Sequence, residues 1–170
     1  DKKTKKLSGD EIRKILLKAN YNVKEAVVSA PTVNEVNRVI SYSNKNNIKV
    51  LLGVGGGSVI DVTKLAAYEL KKPFVSVPTS AAHDGIASPR ASLKHSKGAV
   101  SKTAVSPLAV LADTKIIMNA PYKMLASSQS ITADIFDITS AQPLASILYG
   151  AFIIIFVSAS TARGDTAVIE

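Results

Sequence analysis

Cysteine is absent from the 170 residues. That excludes disulfides and thiolate-held metal ions. Aromatic side chains make up only 5%, and the many lysines are not interleaved with them, so a nucleic-acid surface is not expected. The opening DKKTKKLSG holds no apolar run, and no secretory signal is read there. Acidic side chains are scarce relative to basic ones, which leaves a net charge of +8. The imbalance is uneven. No lysine follows Lys123, and residues 128–170 carry Arg163 alone against Asp134, Asp137, Asp165 and Glu170. This shift of composition sets a boundary near Ser127. The basic first part suits either an attraction for anionic substrates or a plain solvated surface.

What is present is a hydrophobic fraction of 46%, ample for one folded domain with a core. The most informative stretch is 48–72. An apolar run with Val50, Leu51, Leu52 and Val54 meets Gly55, Gly56 and Gly57, and a helical pattern follows. Ser58, with Asp61 three residues on, has the spacing of a capping box. A strand that turns through glycines into a helix start is suited to phosphate. Glycines admit close approach, and the unpaired N–H groups of the first helical turn point at the anion. Ile60 stands where G-x-G-x-x-G requires glycine, so the usual dinucleotide fingerprint is not met. A tight strand-to-helix turn in any α/β domain is the plainer alternative.

Two further capping boxes are read at Ser8–Glu11 and Thr32–Glu35. Each opens a helix with apolar residues at helical spacing: Ile12, Ile15, Leu16 and Leu17 after the first, Val33, Val36, Val39 and Ile40 after the second. Short strands are expected at Tyr21–Ser29, Pro73–Pro78 and Val105–Ala112, and a helix start at Pro121–Ser127. Alternating strands and helices imply an α/β, Rossmann-like parallel sheet with crossover helices. The segment Thr79–Ser106 is a long polar stretch after a strand end, which is either functional or conceals a hairpin. Such a sheet ordinarily opens on a strand, whereas here a charged stretch leads straight into a helix. The expectation is an N-terminal cofactor domain at 1–127 that lacks its first strand.

GGGSVID at 55–61, VPTSAAHDGIASPRAS at 77–92 and SPLAVLADTKII at 106–117 together resemble the archaeal sn-glycerol-1-phosphate dehydrogenases. These belong to the superfamily of dehydroquinate synthase, glycerol dehydrogenase and iron-containing alcohol dehydrogenase. The resemblance covers residues 1–127. It implies a cytoplasmic oxidoreductase that reduces dihydroxyacetone phosphate to glycerol 1-phosphate with NADH or NADPH, for archaeal membrane lipids, using zinc. It sets Gly57, Ser58, Val59, Ile60 and Asp61 against the cofactor pyrophosphate. Thr79, Ser80, Ala81 and Ala82 match a second cofactor turn, and Ser88 a further cofactor contact. Asp84 matches a substrate-holding residue, and as a carboxylate it should face the hydroxyl end of the substrate. The preference between NAD and NADP and the formation of a homo-oligomer stay open. Glycerol dehydrogenase and 3-dehydroquinate synthase are the rival activities, and the HDGIASP stretch disfavours both.

The sequence departs from that family beyond the boundary. Ile131 stands where the family's zinc-binding Asp belongs, in place of a Gly-Cys-Gly-Asp segment. The helical C-terminal domain with its two zinc-binding histidines has no counterpart. His83 and His95 are the only histidines, and a catalytic zinc site needs three protein ligands, so no metal ligands are assigned in this chain. Residues 128–170 form an apolar tail unlike the family, of the kind an out-of-frame ending would give. No charge occurs from Ile138 to Ala162, but the intensely apolar part, 147–157, is short for a bilayer span and more in keeping with a buried segment. No stable membrane insertion is expected. A non-catalytic nucleotide-binding fragment is the rival reading from another class.

Overall fold

The computed structural model describes residues 5–80, 84–96, 98–118 and 153–155. A π-helical turn at Lys5–Gly9 runs into α1, Asp10–Lys18. Then follow α2 (Val33–Lys45), β1 (Leu51–Gly55), α3 (Gly57–Leu70) and β2 (Phe74–Pro78). A 3-10 turn at Asp84–Ile86 precedes the hairpin of β3 (Arg90–His95) and β4 (Gly98–Thr103). The last elements are β5 (Ala109–Ala112), α4 (Thr114–Met118) and β6 (Ile153–Ile155).

The main sheet has the order β1-β2-β5-β6. β1, β2 and β5 are parallel, and β6 joins β5 antiparallel. The Rossmann-like α/β reading is therefore met, with α3 as the crossover between β1 and β2. The polar segment 79–106 does conceal a hairpin, whose register pairs Arg90 with Thr103 and His95 with Gly98.

The core forms where α3 lies on the sheet. Ile60, Val62 and Ala66 of α3 and Phe74 of β2 are fully buried, joined by Leu65, Leu93 and Val110. Gly53 makes the close approach possible. A Cβ there would lie 2.9 Å from a ring carbon of Phe74 and 3.3 Å from Thr63. Each of the three long helices among the described residues closes on a left-handed residue: Asn20, Asn47 and Lys71, with φ of 63°, 51° and 52°. Asparagine tolerates that geometry through its short polar side chain. Lys71 is held by its N–H to Tyr68 O, while Lys72 N–H reaches Ala67 O, the double closure that satisfies terminal carbonyls.

Three sequence expectations change. Residues 21–29 form no strand, because among the described residues no ladder partner stands beside them. They and β1 line an apolar groove of about 590 Å³, with Ile12, Leu16 and Val39 on its walls. Ser8 does not cap α1. The helix is prolonged backward by the π-turn, so Gly9 takes the cap position without a side-chain bond and Ser8 is buried inside the turn. The strand expected at Val105–Ala112 is confined to Ala109–Ala112. The Thr32 box holds on one side: Glu35 N–H donates to Thr32 Oγ1 at 3.3 Å. The Glu35 carboxylate does not return to Thr32 but accepts from Ser29 N–H and from Arg38. The helix expected from Pro121 lies outside the described residues, as does most of the tail. Among the described residues, no helix is long and apolar enough to cross a membrane.

Candidate cofactor site

β1 and β2 run parallel with Gly55 opposite Pro78. Their carboxyl ends therefore open side by side, and both candidate turns begin there. Thr79 N–H donates to Gly55 O at 3.0 Å, which locks the second turn onto the first. In open α/β sheets this end is the ligand end.

α3 begins on glycine. Gly56 is the cap residue, with φ −79° and ψ −178°, and no side chain caps the helix. Its carbonyl accepts from both Val59 N–H (3.0 Å) and Ile60 N–H (3.2 Å). This corrects the expected capping by Ser58. The glycine turn is completed before Ser58, which becomes the second helical residue and is exposed, and Asp61 lies buried deeper in the helix. The N–H groups of Gly57 and Ser58 donate to no acceptor among the described residues. A 14-residue helix thus presents two unused donors and its positive end, which favours an anion. The space confirms the opening: a Cβ at Gly56 would meet nothing within 4 Å. The fold itself does not demand glycine there, because φ and ψ are ordinary extended values. A ligand brought against the backbone does demand it. A diphosphate fits these features.

The other expected residues divide. The side chains of Val59 and Ile60 belong to the core, 8% and 0% exposed, so only their backbone can serve a ligand. Thr79 and Ser80 sit buried directly after β2. Ser88 is half-buried in the turn before β3, and Asp84 opens the 3-10 turn. Ala81 and Ala82, with His83, lie outside the described residues. Gly56 lies in the glycine turn that the sequence points to, and the structure adds that it is the N-cap of α3, a position glycine accepts. Lys64 lies outside the sequence expectations. Its signal is a lysine three residues after Asp61, set among Val59, Ile60, Val62 and Leu65. Its Nζ lies 3.9 Å from the Asp61 carboxylate, and both side chains are buried.

Among the described residues, no three His, Asp or Glu side chains gather as a metal site. His95 is exposed at the end of β3, with its ring beside Ser96 Oγ at 3.2 Å. These donors do not fit a zinc site.

The sequence model of the iron-containing alcohol dehydrogenases matches residues 1–121. Two relatives named glycerol-1-phosphate dehydrogenase [NAD(P)+] are similar over the same part. That of Methanosphaera stadtmanae is 47% identical over 127 residues, covering 75% of this chain and 36% of the relative. That of Methanococcoides burtonii is 46% identical over 126 residues, covering 74% of this chain and 35% of the relative. The chain thus spans about a third of the length of the relatives it matches. Among solved structures, glycerol dehydrogenase from Schizosaccharomyces pombe superposes with a TM-score of 0.69 at 23% identity, covering 75% of this chain and 33% of that one. An iron-containing alcohol dehydrogenase from Thermotoga maritima gives 0.62 at 22% identity, covering 75% and 41%. At these identities the structural likeness speaks for the fold, and it agrees with the match in sequence: the chain belongs to the iron-containing alcohol dehydrogenase family.

Proposed function

We propose that residues 1–127 are the cofactor-binding part of an NAD(P)-dependent sn-glycerol-1-phosphate dehydrogenase, an oxidoreductase of archaeal lipid synthesis acting on dihydroxyacetone phosphate. The observation that carries the reading is the start of α3, where two N–H donors without an acceptor among the described residues and the open space at Gly56 suit a diphosphate. The names and identities of the sequence relatives support the choice of substrate. In the whole enzyme the nicotinamide supplies the hydride. The part of this chain is to bind and orient. Gly57 and Ser58 N–H hold the diphosphate, the Thr79–Ser80 turn lies beside it on the next strand, and Asp84 accepts from substrate hydroxyls. Zinc belongs to the proposal for the complete enzyme alone. Its chemistry there is polarisation of the substrate carbonyl, and the residues described here do not form its site.

This reading separates binding from turnover. The purified chain binds NADH or NADPH but does not oxidise it with dihydroxyacetone phosphate and added zinc. Nicotinamide fluorescence measures the first and absorbance at the NADH band the second. Failure to bind either cofactor defeats the proposal. Turnover at about 1 per second or faster would show that this chain, or a partner copy, completes a catalytic centre. Localisation in the cytoplasm and assembly into a homo-oligomer belong to the same proposal, and fractionation and sedimentation test them.

A further inference from the structure

Lys64 has no exposed surface at all, and it sits about two helical turns along α3 from Gly57. Burying an ammonium is costly unless its hydrogens are taken up. Lys64 Nζ donates to the backbone carbonyl of Gly85 and to that of Arg90, the latter at 2.8 Å. The Asp61 carboxylate, one turn earlier on the same helix, supplies the opposite charge. The two carbonyls bracket Ile86, Ala87, Ser88 and Pro89. One end belongs to the 3-10 turn that Asp84 opens, and the other is the first residue of β3. A single three-donor head therefore pinches both ends of this loop onto the helix whose start forms the proposed cofactor site.

An apolar side chain of similar length would fill the same volume, and exchanging a buried ion for apolar groups is often neutral or stabilising. Packing alone does not call for lysine here. Its distinctive effect is geometric. Resting on the reading of the α3 start as the cofactor site, we propose that Lys64 is a positioning residue. It fixes the 84–90 loop against α3 and so keeps Asp84 and Ser88 in register with the glycine turn.

The test compares the full chain with Lys64→Met. Amide exchange at Ile86, Ala87 and Ser88 should accelerate about tenfold or more, while Leu65, Ala66 and Ala67 in α3 keep their protection. NADH affinity should fall about fivefold or more. In the unmodified chain, an isotope-edited spectrum should show a slowly exchanging Lys64 ammonium coupled across hydrogen bonds to the Gly85 and Arg90 carbonyls. That last measurement decides the matter even if the variant does not fold. Equal acceleration in loop and helix would reduce Lys64 to a general structural role and overturn the proposal. Unchanged loop exchange, or an ammonium without those couplings, would overturn it as well. If the unmodified chain fails to bind NADH, the cofactor reading falls, while loop exchange still decides whether Lys64 holds the loop.

Discussion

Gly56→Val separates the needs of the fold from those of the site. Gly56 has φ −79° and ψ −178°, extended values that a β-branched residue adopts readily. A Cβ there meets no atom within 4 Å, so the first atom of the new side chain clashes with nothing. The fold then loses only the advantage of glycine over valine at a helix cap, about 1 kcal/mol. The ligand loses more. The branched side chain fills the opening through which a diphosphate reaches the Gly57 and Ser58 N–H groups. A hydrogen bond to a charged group contributes about 1.5–3 kcal/mol. The loss of one such bond lowers affinity about 10- to 150-fold. Fluorescence titration with NADH and NADPH, beside a thermal melt of the same samples, reads both quantities. A variant that binds as tightly as the parent refutes the assignment of this turn. A variant that no longer folds refutes the claim that the site, rather than the fold, requires glycine at this position.

Other outcomes follow from the packing. Gly53→Val places atoms against Phe74 and Thr63, where even a Cβ is at 2.9 and 3.3 Å. Overpacking of this kind costs about 1–3 kcal/mol, read as a lower melting temperature. Phe74→Ala empties a fully buried ring position and should cost about 3–5 kcal/mol in denaturant unfolding. Thr32→Ala removes the cap on α2 and should cost about 1 kcal/mol. Arg38 beside Glu35, with help from Ser29 N–H, holds the Glu35 carboxyl below its ordinary value of 4.5. The ionised form is favoured in the folded chain, so this stabilisation is present above the unfolded value and lost as pH falls through the depressed folded one. Arg38 is nearly half exposed, so the effect is about 0.2–1 kcal/mol. Urea unfolding at neutral and acid pH should show Glu35→Gln with the flatter profile.

Local chemistry made part of this fold legible in sequence, and long-range partnership hid the rest. The Thr32 box could be read because its acceptor and its donor are three residues apart. Phe74–Pro78 could be read because β-branched and aromatic residues lie between two prolines. Residues 21–29 have the valines of a strand, but a strand exists only with a ladder beside it. Here an apolar groove separates that segment from β1. Ser8 and Ser58 carry the right spacing for caps, yet in each case a glycine takes the cap position. The hairpin at 90–103 has no strong turn dipeptide, and its outer strand is exposed along its length, so alternation is faint. The short α4 has a local cap, Asp113 Oδ1 accepting from Lys115 and Ile116 N–H, but its five residues are too few turns for a period to emerge. The glycine turn, Gly56 included, is legible as a strand-to-helix junction because three glycines follow an apolar run. That Gly56 and not Ser58 takes the cap position depends on where the helix starts, which only three dimensions reveal.

The central claim is that the carboxyl ends of β1 and β2 receive a dinucleotide diphosphate at the start of α3. Titrating NADH into isotope-labelled chain and following backbone amides tests it most directly. The account predicts saturable shifts at Gly57, Ser58 and Val59, with Thr79 and Ser80 moving in step. Shifts confined to the groove residues Val27, Tyr42 and Leu52, with the glycine turn unmoved, would contradict it.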